Sequence, residues 1–79
     1  MKRDQSADGV GDILTNGVNS WLACSQICQE DPTCKAWNYV PKDNRCVRKL
    51  SFIEFQTFNG YIAGERDCPN IKKVIILNV

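Results

Sequence analysis

The spacing of five cysteines constrains this chain more than any other feature of its 79 residues. Cys24 and Cys28 lie four residues apart, and Cys34, Cys46 and Cys68 follow at longer intervals. A chain of this length builds a core worth only about 3–5 kcal/mol, so domains of its size usually need covalent staples. Disulfides persist in oxidising compartments. The cysteine content therefore predicts one disulfide-stapled domain of a secreted or secretory-organelle protein.

The spacing also restricts which cysteines can pair. On a helix, Cys24 and Cys28 would project from one face with nearly parallel Cα–Cβ vectors, so each should reach a different element. A Cys28–Cys34 bridge would join the helix end to the next strand, and Cys24 could then reach Cys46. The alternative is zinc bound by four thiolates, although structural zinc sites usually use paired knuckles of closer spacing. Cys68 is left over, either as a free thiol or with its partner missing from this chain.

Local patterns predict an α+β domain with one helix on an antiparallel sheet. Asn19 or Ser20 offers an N-cap for a helix that runs to about residue 29 or 30, where Asp31-Pro32 stops it. The helical wheel places an apolar arc opposite Ser25 and two glutamines. Strands are predicted at 12–15, 34–40, 45–50 and 61–63, with 52–58 of uncertain type, a turn or bulge at 59–60, and 72–79 as a closing strand or a linker.

Charge and composition exclude several functions. The net charge of +1 argues against nucleic-acid binding, and no apolar run is long enough for membrane insertion. Histidine is absent, which removes the commonest general base and metal ligand. We therefore expect no enzyme, no cofactor and no metal site.

Basic residues cluster around the predicted hairpin turn. Residues 4–34 carry five acids and no base, whereas residues 35–49 carry five bases and one acid. Such a patch could bind an anionic partner such as a sulfated glycan, and the alternative is an ordinary solvated hairpin. In the preceding strand, Trp37 and Tyr39 share a face and are interpreted as core, as is Tyr61. The candidate ligand-binding residues are Lys42, Arg45, Arg48 and Lys49.

Several of these residues together resemble a PAN/apple domain. The resemblance covers about residues 12–68 and rests on three segments: Ser20-x3-Cys24-x3-Cys28-x5-Cys34-x-Ala36-Trp37-x-Tyr39, Cys46-x2-Lys49, and Tyr61-x2-Gly64-x3-Cys68. It implies a helix packed across about five antiparallel strands and the bridges Cys24–Cys46 and Cys28–Cys34. Members with six cysteines have a third bridge between a cysteine near the start of the domain and one near its end. Cys68 matches the later cysteine, and the early partner is missing here. Arg48 is a second departure, because the family commonly has an apolar residue there.

The resemblance implies a recognition module for a protein or carbohydrate ligand, similar to one unit of an apicomplexan microneme-type adhesin. The alternative is a structural spacer that contacts only neighbouring domains of its parent chain. Disulfide chemistry without a visible export signal indicates a fragment of a longer secreted protein, with Met1 as an expression start. We expect residues 1–9 to be a flexible N-terminal segment and residues 10–79 to form the domain.

Overall fold

The computed structural model describes residues 1–66, which contain five strands, one α-helix and a short 3-10 turn. The elements are β1 (Lys2–Asp8), β2 (Asp12–Asn16), α1 (Trp21–Glu30), β3 (Ala36–Val40), the 3-10 turn (Pro41–Asp43), β4 (Arg45–Lys49) and β5 (Glu54–Glu65). The strands form one antiparallel sheet in the order β1-β5-β3-β4-β2. The predicted fold class is confirmed, because α1 packs on one face of this five-stranded sheet.

The helix begins and ends where its capping residues predict. Ser20 is the N-cap, and its Oγ accepts a hydrogen bond of 3.1 Å from the backbone N–H of Ala23. Asp31, which precedes the proline, has extended backbone and ends the helix. The helical wheel is wrong at Ser25, which is fully buried rather than exposed. Its hydroxyl donates to the backbone oxygen of Leu22 at 2.8 Å, so the polar group is satisfied inside the protein.

Two disulfides fasten the helix to the structure around it. Cys24 bonds Cys46 of β4, and Cys28 bonds Cys34 just before β3, with Cα–Cα distances of 5.3 Å in each bridge. The expected pairing is confirmed, and these four sulfurs are committed to bridges rather than to zinc. Cys68 and its proposed bridge lie outside the described residues, as does the strand expected at 72–79.

The core between helix and sheet is built around two aromatic residues of β3. Trp37 is fully buried and Tyr39 is 4% exposed, which confirms that both are core residues. Trp37 stacks on Trp21 of the helix, with ring centroids 6.1 Å apart and an interplanar angle of 7°. The Tyr39 hydroxyl donates to the backbone oxygen of Val18 at 2.7 Å. The helix therefore covers this face of the sheet along β3.

The opposite face of the sheet is partly covered by a two-stranded ribbon. Strands β4 and β5 flank β3 on either side, so the chain that connects them must cross β3. That chain stays paired with the start of the sequence, because backbone bonds from residues 50, 51 and 53 to residues 11, 10 and 8 continue the β2–β4 and β1–β5 ladders. We call residues 5–11 together with 50–57 the crossing ribbon.

One buried asparagine joins the crossing ribbon to the central strand. The Asn38 side chain accepts from the Ala7 backbone N–H at 2.6 Å and donates to the Ala7 backbone oxygen at 3.1 Å. Ala7 packs in a second small core with Ala36 and Ala63, which Phe55 and its neighbour Phe52 border. The sequence places residues 1–9 in a flexible segment, whereas in the structure Lys2–Asp8 forms strand β1. This stretch is a strand that holds its place through backbone pairing and not through an apolar pattern of its own.

Candidate functional site

The open surface of the sheet lies on the ribbon side, where two adjoining grooves share Phe58 and Tyr61. The larger groove, ≈ 540 Å³, runs between residues 40–43 and residues 58–61. The smaller, ≈ 280 Å³, lies between the ribbon and the side chains of β2 and β4, and Asn38 contributes to its lining. Concave surfaces with mixed apolar and polar walls are typical of small-ligand sites. We call these two grooves together the groove face.

The aromatic pair owes its position to a bulge in β5. Thr57 pairs with Gln5 and Ile62 pairs with Arg3, so four residues of β5 face the single residue Asp4 of β1. Gly60 has a φ of +87°, which favours glycine, and its N–H donates to the Asp4 carboxylate at 3.0 Å. This bulge is the structural outcome of the Asn59-Gly60 signal in the sequence.

Bulging brings two ring systems together at the wall between the grooves. Phe58 and Tyr61 have centroids 4.4 Å apart and an interplanar angle of 44°. Phe58 is 51% exposed, and Tyr61 is half-buried rather than fully in the core. An exposed aromatic pair in a domain with so small a core offers apolar contact area to a partner.

Three of the four predicted basic residues line the groove face. Lys42 of the 3-10 turn lies along the larger groove, and Arg45 and Lys49 of β4 lie along the smaller one. Arg45, Val47 and Lys49 lie two positions apart along β4, so their three side chains point to the same face of the sheet. Their role in ligand binding stays a prediction, and the structure adds that they border the two grooves.

Arg48 does not belong to this group. Its side chain leaves β4 on the helix side, where Nη1 contacts the Asp31 carboxylate at 2.8 Å. The pKa of Asp31 is lowered, first by the hydroxyl and backbone hydrogen bonds from Thr33 and further by Arg48. The departure from the apolar residue expected at Arg48 thus has a structural use, because an ion pair ties β4 to the end of the helix.

The groove face carries charges of both signs. The Lys49 ammonium contacts the Asp12 carboxylate at 2.6 Å, and the Arg45 guanidinium lies 3.9 Å from Asp43. Asp8 also borders the smaller groove. The basic residues predicted to bind a ligand therefore share the groove face with carboxylates.

Sequence reasoning missed part of this surface. In the sequence, Asp8 falls in the segment expected to be flexible, Asp12 begins a predicted strand, and Phe58 ends a stretch of uncertain type. Two aromatics flanking an Asn-Gly pair were the available signal for Phe58, since a bulge there turns neighbouring side chains to one side. No local signal exists for Asp8 or Asn38, because both reach the site through contacts between distant segments.

Within the described residues, no group of three or more His, Cys, Asp or Glu side chains is arranged to hold a metal ion. The ten-residue helix of this part of the chain is also too short to cross a membrane.

Comparison with known proteins agrees with this architecture. The sequence profile of the PAN domain family matches residues 7–49, more than half of the chain. The chain belongs to the PAN domain family. The matched segment contains the helix, both disulfides and the hairpin of β3 and β4, which include two of the three segments that carried the resemblance.

A microneme antigen of Sarcocystis muris is similar to this PAN domain. The two sequences are 35% identical over 51 residues, which make up 65% of this chain and 21% of the antigen. The chain thus spans about a fifth of the length of that relative. Family membership and this similarity support an adhesion-type module.

Proposed function

We propose that this PAN domain is a recognition module that binds a carbohydrate ligand in the groove face. It would act as one unit of a secreted or secretory-organelle protein, beside neighbouring domains of the parent chain. The observation that carries the proposal is the exposed Phe58–Tyr61 pair on the wall shared by two grooves. The crossing ribbon, the 3-10 turn and the bulge hold this pair within reach of charged side chains.

The chemistry of the groove face suits a sugar. The C–H face of a pyranose ring packs on aromatic side chains, and its hydroxyls both donate and accept hydrogen bonds. Lys42, Arg45 and Lys49 supply donors, and Asp8 and Asp12 supply acceptors. Because charges of both signs line the grooves, a neutral sugar fits this surface better than a sulfated glycan, which would meet the carboxylates as well as the cations.

A protein ligand is the second candidate, since aromatic and arginine side chains are also enriched in protein–protein interfaces. The exposed apolar area at Phe58 would serve either partner. What favours the sugar is the shape of the surface, because two adjoining grooves are concave, as small-ligand sites are.

A glycan array followed by titration calorimetry tests the proposal. We expect a neutral glycan to bind, with binding reduced at least about tenfold by Phe58→Ala or Tyr61→Ala, because each removes a stacking surface. Leu22→Ala is the matched control: Leu22 is also an exposed apolar residue, 43% exposed, but it lies on the helix.

The salt dependence separates the two kinds of glycan. Binding that persists between 50 and about 500 mM salt supports a neutral sugar, whereas a steep loss indicates a sulfated ligand held by Lys42 and Arg45. A module that binds no glycan at any salt concentration would contradict the carbohydrate proposal and favour the spacer or protein-binding alternatives.

A further inference from the structure

The two edges of the sheet differ in how they are protected. The β1 edge carries Lys2, Arg3 and Asp4, and the bulge at Asp4 interrupts its pairing with β5. Charges and bulges are the devices that keep an edge strand from pairing with another chain. The β2 edge has neither device in its inner positions. Its five residues keep one unbroken register with β4, from Asp12 opposite Lys49 to Asn16 opposite Arg45.

The hydrogen bonding of β2 shows which of its backbone groups face outward. The Leu50 N–H donates to the Gly11 oxygen, which makes these two residues a hydrogen-bonded pair of the antiparallel ladder. Bonded pairs alternate, so Ile13 and Thr15 direct their backbone groups towards β4. The N–H and C=O groups of the three residues between and beside them point away from β4. These are Asp12, Leu14 and Asn16.

The outward groups are self-complementary. Consider β2 of one chain paired antiparallel with β2 of a second copy, about a two-fold axis that passes midway between the two Leu14 residues. Leu14 then lies opposite Leu14 of the other copy, and Asp12 lies opposite Asn16. Every outward residue then meets another outward residue, and each of the three pairs exchanges two backbone hydrogen bonds. No like charges face each other, and Leu14, which is 59% exposed in the single chain, gains an apolar neighbour.

We propose that β2 is a self-association edge, through which two copies of this chain join their sheets. Within residues 1–66, no other strand pairs with the outer side of β2. The two-fold axis of an antiparallel pair stands perpendicular to the sheet, so the same face of both copies points the same way. Leu14 borders the smaller groove. The dimer therefore presents two groove faces side by side, which would raise the avidity for a ligand with repeated units.

Sedimentation equilibrium over a wide concentration range tests the edge. The chain carries Cys68→Ser, so that this thiol cannot link two copies by itself. We expect the average mass to rise towards twice that of the monomer. Leu14→Lys should weaken the dimer at least about tenfold, because it sets two like charges opposite each other at the axis. Leu22→Lys, the same exchange at an exposed helix position, should leave the association unchanged.

Cross-linking tests the register independently of how strong the association is. In the Cys68→Ser chain, Leu14→Cys places two thiols opposite each other at a Cα–Cα distance of about 5.5 Å, within the range of a disulfide. We expect covalent dimers on mild oxidation of Leu14→Cys and far fewer from Asn16→Cys, whose opposite residue is Asp12. The proposal would be overturned if the chain stayed monomeric at all concentrations, or if Leu22→Lys weakened the association as much as Leu14→Lys does. Equal cross-linking of Leu14→Cys and Asn16→Cys would overturn it as well.

Discussion

Gly64 shows how tightly single residues are fitted in this domain. It lies opposite Trp37 in the β3–β5 ladder, and a Cβ built on it would come within 2.5 Å of the indole Cζ2. Glycine is needed here for space and not for its backbone angles. The indole is fully buried and stacks on Trp21, so it has little room to move away.

We expect Gly64→Ala to lower the free energy of unfolding by roughly 1–3 kcal/mol, since overpacking a filled core forces side chains or backbone to shift. Urea denaturation followed by tryptophan fluorescence measures this change. Thr57→Ala on the exposed part of the same strand should stay within about 0.5 kcal/mol of the original protein. If Gly64→Ala and Thr57→Ala changed the free energy of unfolding equally, the close packing of Trp37 against Gly64 would be contradicted.

Asp31 is the residue whose ionisation links stability to pH. Its pKa is lowered in the folded state, chiefly by the hydrogen bonds from Thr33 and also by Arg48. A lowered folded-state pKa stabilises the protein above the pKa of the unfolded chain, and this contribution is lost as the pH falls through the folded-state pKa. The loss therefore lies in the acid range, below about pH 4.

We expect Asp31→Asn to flatten the acid limb of the stability curve, because no carboxylate remains to be protonated at that position. Thr33→Val removes the hydroxyl donor but keeps the backbone N–H, and it should give an intermediate slope. Urea midpoints measured from pH 2 to pH 7 provide the comparison. An acid limb of unchanged slope in Asp31→Asn would show that other carboxyl groups govern acid unfolding.

At the level of elements, the two disulfides close loops of different length. Cys24–Cys46 spans 22 positions and Cys28–Cys34 spans 6. The chain-entropy model assigns about 3.4 kcal/mol to the longer loop and about 2.4 kcal/mol to the shorter. Either value is a large fraction of the stability expected for a domain of this size.

We expect the double variant Cys24→Ala/Cys46→Ala to lose more stability than Cys28→Ala/Cys34→Ala, by about 1 kcal/mol. Replacing both partners leaves no new thiol to form wrong bridges. Urea denaturation at neutral pH gives the difference. The opposite order would show that packing around the helix end outweighs the entropy of the longer loop.

The elements that could be predicted from sequence are those whose signal is local. The helix has a serine cap and a proline stop, and β3 and β4 carry the aromatic and β-branched residues that suit a sheet. Strand β1 was missed because Ala7 is its one buried residue, so no alternation marks it. The course of β5 was uncertain because its bulge breaks the period of two between Thr57 and Ile62.

The same distinction applies to the candidate site. Lys42, Arg45, Arg48 and Lys49 are grouped in the sequence because they are close to one another, and only Lys42, Arg45 and Lys49 border the groove face. Arg48 leaves β4 on the opposite face of the sheet from Arg45 and Lys49. The alternation of side chains along a strand predicts this difference. The acids and Asn38 could not be found this way, since the crossing ribbon that brings them together depends on pairing between residues some 40 positions apart.

For the whole molecule, the crossing ribbon brings Ala7, near the start of the chain, into the core. Ala7 is 2% exposed and satisfies both polar atoms of the Asn38 amide, which is itself buried. Strand β1 also supplies the pairing partner of β5 on both sides of the bulge. Without it, a buried amide loses its partners, and the wall that carries Phe58 and Tyr61 loses the Asp4 contact.

Deletion of residues 2–8 should therefore lower the free energy of unfolding by about 3 kcal/mol or more, because each buried polar group left unsatisfied costs about 1–3 kcal/mol. Asn38→Ala in the full chain should cost less, since it leaves the β1–β5 ladder in place. Thermal denaturation by circular dichroism compares the three proteins, and glycan titration compares their groove faces. If the deletion left the melting temperature unchanged, residues 2–8 would contribute nothing to stability, as expected of a flexible segment. We expect instead that the deletion removes ligand binding together with stability, because the ribbon supports both.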